Sequence, residues 1–311
     1  MTRLMLILLV SVLSAAQVYT QQPSVTQNGT DPSSLTKAEL LRLIDLYEAA
    51  LRKPELGHSD DTSLAKVYTS LGNCYVEVAM YLKAEDAMNH AIALLRHGSQ
   101  TGLADEISQL AVVHISTGDL KQAEKDQMEA LHIREQIGDS VGIAISWNDV
   151  ASLYIRERQF SKALDYAQRA MAVLASNPGV PADDRISIRN TLAYALCGRR
   201  QCERAIPLLE ESLELARENF GADSLAFGVD SYLLGYAYWQ NGRMDEAADW
   251  MQRGIERMKK NWGWGQTLYV RAVEQYAKFL RQRGQTESAG LEERELRHMT
   301  ETVDARSFVG R

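Results

Sequence analysis

From Ala38 onward, apolar residues recur at the spacing of one helix face. "AELLRLIDLYEAALRK" (Ala38–Lys53) is the first such stretch, and the pattern continues to the C-terminus. Runs that alternate apolar and polar residues, as a half-buried strand would, are not seen. Gly and Pro gather at breaks: Pro54 to Gly57, Asn177 to Pro181 and Asn261 to Gly265. The pattern predicts an all-α chain.

The small residues add a second, longer period. In "SLGNCYVEVAMYLKAEDAMNHAIAL" (Ser70–Leu94), Gly72, Ala84 and Ala91 stand where larger side chains would bury more area. Ala84 has look-alikes at Ala123, Ala163, Ala205, Ala247 and Ala289, spaced 39, 40, 42, 42 and 42 residues apart. Twelve residues before each lie Gly72, Ala111, Ala151, Ala193, Gly235 and Ala277, all small. Seven residues after lie Ala91, Ala130, Ala170, Ser212, Gly254 and Leu296, all small but the last. Two antiparallel helices per unit account for this, with small residues where one helix approaches another. Tyr68, Leu71, Tyr75 and Tyr81 fill the remaining space in the first unit. Met244, Met251 and Met258 read as core filler on one helix.

Three stretches then carry a resemblance. "Tyr68-x2-Leu71-Gly72-x2-Tyr75…Ala84", "Trp147-x2-Val150-Ala151-x2-Tyr154…Ala163" and "Leu234-Gly235-x2-Tyr238…Ala247" resemble the tetratricopeptide repeat signature. The units at Ala123, Ala205 and Ala289 match it less closely. The 42-residue spacing, with "EALHIREQIGDS" and "LELARENFGADS" between units, is similar to the longer-helix repeats of kinesin light chains. The resemblance implies a right-handed superhelical solenoid of helix-turn-helix hairpins. It also implies a role in binding a protein or peptide in a concave groove.

The N-terminus reads differently. "MTRLMLILLVSVLSAAQ" places Arg3 before an apolar run from Leu4 to Leu13, then Ser14-Ala15-Ala16. The run is too short to span a bilayer and reads as a secretory signal cleaved after Ala16, with an uncleaved membrane anchor as the alternative. Residues 17–36 are rich in Gln, Ser, Thr, Asn and Pro and read as a linker, with a glycosylation sequon at Asn28-Gly29-Thr30. The expected order is a signal at 1–16, a linker at 17–36, a helix and loop at 37–64, six repeats at 65–300 and a tail at 301–311. A secreted or periplasmic location follows, with no membrane span in the mature chain.

Charge and chemistry narrow the function. With 34 basic and 41 acidic residues the net charge is −7, which argues against nucleic-acid binding. No phosphate-cradling glycine loop, His-Glu-x-x-His or nucleophile elbow is present. His90 and His97 lie seven apart with no third ligand nearby and read as surface or packing residues. The expectation is a non-enzymatic scaffold with no catalytic residue, metal or cofactor. A small-ligand carrier or accessory subunit using the same groove is the alternative, and self-association through a terminal repeat a third option.

By the resemblance, residues 2, 5, 9 and 12 of each first helix face the groove. The family's carboxylate clamp finds only Asn73 in place, with Thr69, Gln109, Ile145 and Asp149 at other clamp positions, so no clamp is expected. The same arithmetic puts Asn148, Asn190, Tyr194, Tyr232, Tyr236 and Trp239 on the inner face, with Trp239 the sharpest candidate for partner contact. Cys197 and Cys202 frame "CGRRQC" between two helices, within reach of a disulfide; two buried thiols are the alternative. Cys74 reads as a small core residue.

Overall fold

The computed structural model describes residues 37–52, 60–177, 179–260 and 266–308. The expected signal at 1–16 and linker at 17–36 lie outside these residues, as does Asn28. Among the described residues there are thirteen α-helices and no strand. The contacts divide into two units, one ending at Asp183 and the other starting at Asp184.

The first unit holds α1 (Lys37–Leu51), α2 (Asp61–Glu77), α3 (Tyr81–Leu95), α4 (Gln100–Thr117), α5 (Leu120–Ile137), α6 (Ser140–Arg156) and α7 (Phe160–Ser176). Each helix packs on the next. Their starts are written in the sequence: Asp60, Ser99, Asp119 and Asp139 each accept a hydrogen bond from the backbone N–H three residues on.

The second unit holds α8 (Ala182–Gly198), α9 (Cys202–Phe220), α10 (Leu225–Gln240), α11 (Met244–Lys260), α12 (Gln266–Gln282) and α13 (Thr286–Phe308). Ser224 caps α10 through the N–H of Phe227. Met251 and Met258 are buried in this unit's core.

The small columns are the helix contacts. Ala84, Ala123, Ala163, Ala205, Ala247 and Ala289 are all fully buried. Five residues before each comes the turn between the paired helices, at Ala79, Gly118, Arg158, Arg200, Gly242 and Gly284. All six have positive φ, from 60° to 89°. Only three are Gly, the residue for which this conformation costs least.

A second feature repeats with the same register. Tyr75 donates its hydroxyl proton to Glu48, Tyr154 to Glu124 and Tyr238 to Glu210. A cation covers each ring: Lys83 at 5.2 Å, Lys162 at 4.7 Å and Arg243 at 4.4 Å. Glu124 lies on α5 and Glu210 on α9, the second helices of their hairpins. Glu48 lies on α1, so α1 plays towards α2 the part of a second helix.

Candidate interaction site

The second unit gathers five of the six residues expected on the inner face. Asn190 and Tyr194 lie on α8, and Tyr232, Tyr236 and Trp239 on α10. The Tyr194 and Tyr236 rings stack with centroids 5.9 Å apart. Tyr232 leans on Tyr236 at 6.5 Å, and Trp239 meets Tyr236 edge-on at 5.9 Å. The run continues into α12, where Trp239 meets the buried Phe279 at 5.7 Å and Phe279 stacks on Tyr276. Asn148, on α6, is buried and belongs to the other unit.

The rings differ in what they can offer a partner. Tyr232 is buried, and burial pushes its phenol far above the usual range, so it is part of the core. Trp239 is half-buried between Tyr236 and Phe279, and its Nε1–H donates to Gln282 Oε1 at 2.7 Å. It therefore ties one hairpin to the next, and removing it costs stability as well as surface. Tyr194 is 38% exposed and is the open ring of the run. The sequence placed most weight on Trp239, which Phe279 and Gln282 of α12, a hairpin later, cover in part.

Asn190 is engaged as well. Its Nδ2 donates to Asp230 Oδ1 at 2.5 Å. Asp230 has no solvent exposure, and burial pushes its carboxyl up to about 7 against the opposing pull of the Asn190 bond. Sequence reasoning passed over Asp230, because a lone acid on a helix reads as a solvated one.

Cys197 and Cys202 are joined as a disulfide across the α8–α9 turn, with Cα atoms 4.3 Å apart. Cys74 is free and buried, and burial pushes its thiol up to about 12. A shallow cleft on α8 and α9 is lined by Arg185, Arg189, Glu211, Glu214, Leu215 and Glu218, whose charges partly satisfy one another, Arg189 with Glu211 at 3.2 Å.

In the first unit, the residue matching the clamp, Asn73, is buried, and Thr69 beside it donates to the buried Glu106 at 2.6 Å. His90 stacks on Tyr68 at 4.9 Å, as a packing residue would. Among the described residues, no three His, Cys, Asp or Glu side chains gather as a metal site. No helix there is long and apolar enough to cross a membrane.

Comparison with known proteins identifies the repeats. A tetratricopeptide repeat model matches residues 104–176 and 184–260. A comparison with curated proteins finds no significant match. Among solved structures, the apo form of RapI is similar over 86% of this chain and 93% of its own, at 14% identity and a TM-score of 0.67. A Rap protein complexed with Competence and Sporulation Factor is similar over 84% of this chain and 74% of its own, at 16% identity and a TM-score of 0.62. Putative kinesin light chain repeats from Podosopora anserina cover 65% of this chain and 97% of their own, at 17% identity and a TM-score of 0.53. With the small columns buried between paired helices, residues 104–176 and 184–260 are tetratricopeptide repeats, and the fold of the hairpins is similar to that of the kinesin light chain repeats.

Proposed function

We propose that this chain is a non-enzymatic interaction module that holds an extended peptide or protein segment against the Tyr194–Tyr236–Trp239 run, and that it works outside the cytoplasm. The observation that carries the first half is an aromatic run with one ring open to solvent at its edge. Tyr and Trp offer large contact area at low rotamer cost and dominate binding hot spots. A Rap protein of similar fold, solved in complex with Competence and Sporulation Factor, supports the reading. Export is supported by the apolar run Leu4–Leu13 with Ser14-Ala15-Ala16 after it. The Cys197–Cys202 bond is of the sort that oxidising compartments sustain.

The test is a pull-down with the exported chain, its mass measured first. Loss of residues 1–16 from the recovered product supports export, and a product retaining Met1 in the membrane fraction removes it. Replacing Tyr194 by Ala is expected to weaken capture of a stoichiometric protein partner by about 2 kcal/mol, roughly thirtyfold. Because Tyr194 is open, the midpoint of urea unfolding moves little. Undiminished capture by Tyr194→Ala rejects this face, and a metabolite carried through purification in place of a protein rejects the partner class.

A further inference from the structure

Two buried carboxyls occupy the same place in the repeat, one in each unit. Glu106 and Asp230 each stand five residues before the small residue of their own first helix, Ala111 and Gly235. Each is bonded to a side chain three residues before the small residue of the preceding first helix, Thr69 before Gly72 and Asn190 before Ala193. Thr69 Oγ1 donates to Glu106 Oε2 at 2.6 Å, and Asn190 Nδ2 to Asp230 Oδ1 at 2.5 Å. Glu106 is 2% exposed and Asp230 fully buried. The second oxygen of each, Glu106 Oε1 and Asp230 Oδ2, is buried without a hydrogen-bond partner, and so is Asn190 Oδ1.

For Asp230 and Asn190 the orphans have one economical solution. A carboxylate only accepts, so ionised Asp230 leaves both its Oδ2 and Asn190 Oδ1 as buried acceptors with no donor. A proton on Oδ2 supplies the donor. Acid and amide then close reciprocally, Asn190 Nδ2–H to Asp230 Oδ1 and Asp230 Oδ2–H to Asn190 Oδ1. Both orphans are satisfied at once.

We propose that Asn190–Asp230 is a proton-operated latch, with Thr69–Glu106 its counterpart in the other unit. Protonation of the carboxyl closes a hairpin on the one before it, and ionisation loosens that contact. This holds whatever the aromatic run binds.

The chemistry around each carboxyl agrees. Burial pushes both up to about 7. For Asp230, burial is opposed only by the Asn190 bond among the described residues. No cation among the described residues acts on it: Arg189 of α8 is paired with Glu211, and Arg257 of α11 donates to the Ala222 carbonyl. For Glu106, Thr69 pulls down and Asp105 pushes up. Arg134 of α5 is paired with Asp105, and His114 of α4 with Asp126 of α5 and Glu85 of α3. A carboxyl raised in the folded state holds its proton to higher pH than in the unfolded chain. Its contribution to stability is full below the unfolded range, near pH 4, and is lost as pH rises through about 7.

Urea unfolding of the full chain between pH 5 and 8.5 tests this, with wild type, Glu106→Gln, Asp230→Asn and the double variant. The wild-type folding constant is expected to fall by on the order of tenfold or more per latch across that range. Each amide variant removes its share of the fall, while histidine titration stays common to all four. In parallel, ¹³C resonances of the wild-type side-chain carboxyls are followed by NMR, and two are expected to titrate above pH 6. Parallel pH curves for wild type and the double variant overturn the proposal. So does a wild-type protein in which every carboxyl titrates below pH 5, a reading that needs no variant to fold.

Discussion

Replacing Gly254 by Ala is expected to destabilise the second unit by about 2–3 kcal/mol, although Ala is the better helix former. Gly254 lies on α11 where it meets α10. A Cβ there would stand 2.5 Å from Tyr232 N, 2.6 Å from its Cβ and 2.7 Å from its Cα. Those are atoms of a neighbouring helix's backbone and its first side-chain carbon, so no rotamer change relieves them. One helix must move off the other, and Tyr232 carries the ring next to Tyr236. The gain of roughly 1 kcal/mol from removing a helical glycine does not offset that. Gly72→Ala is the contrast. Its Cβ would meet Met88 Cγ at 3.0 Å and Cε at 3.4 Å, so a methionine side chain, not a backbone, has to give, and by only a few tenths of an ångström. Gly72→Ala should therefore stay within about 1 kcal/mol of wild type, and only a larger residue there overpacks the contact. Urea unfolding of the two variants decides it. Equal losses at both positions would show that helix approach is no tighter at Gly254 than at Gly72.

The contrast marks what the sequence could and could not disclose. A column of Gly and Ala at fixed intervals is visible because close helix approach excludes every large residue, and exclusion leaves a trace in composition. Hence the hairpins, their register and the core were legible from Gly72, Ala84 and their counterparts. The inter-helix turns were half legible. Gly118, Gly242 and Gly284 announce a left-handed residue, whereas Ala79, Arg158 and Arg200 adopt the same conformation without announcing it. The buried polar groups were not legible. Glu106, Asp230 and His114 sit at helical spacing, and their partners Thr69, Asn190 and Asp126 lie 37, 40 and 12 residues away. Periodicity reports which face a residue lies on, not whether a later hairpin covers that face. The aromatic run was found for the same reason the columns were, since Tyr194 and Tyr236 share a register. Its open and closed members were not separable, because Phe279 and Gln282, which cover Trp239, come from the following hairpin.

Arg134→Ala should cost about 3–5 kcal/mol, and the reason lies in those same hidden contacts. Arg134 projects from α5 and is only 3% exposed. Its Nη2 pairs with Asp105 Oδ1 of α4 at 2.7 Å, while Nη1 donates to Ser108 Oγ of α4 at 3.1 Å and to Ser146 Oγ of α6 at 2.5 Å. One planar group thus spans three helices and two hairpins. Truncation leaves the volume of a long side chain empty and takes the donor from two hydroxyls. Asp105 is 37% exposed at its side chain, so its charge stays partly watered and adds less to the loss than a buried partner would. Lys at 134 keeps the charge but offers a compact ammonium in place of a fork, and cannot serve Asp105, Ser108 and Ser146 in their present places. Arg134→Lys should therefore lose about 1–2 kcal/mol or more. Arg134→Met combined with Ser146→Ala fills the space and removes one orphaned hydroxyl, so it should lie closer to wild type than Arg134→Ala does. Chemical unfolding of the four proteins at one pH orders them. An Arg134→Ala protein within about 1 kcal/mol of wild type would mean that the guanidinium is a passenger in this seam and that apolar packing alone holds α4, α5 and α6 together.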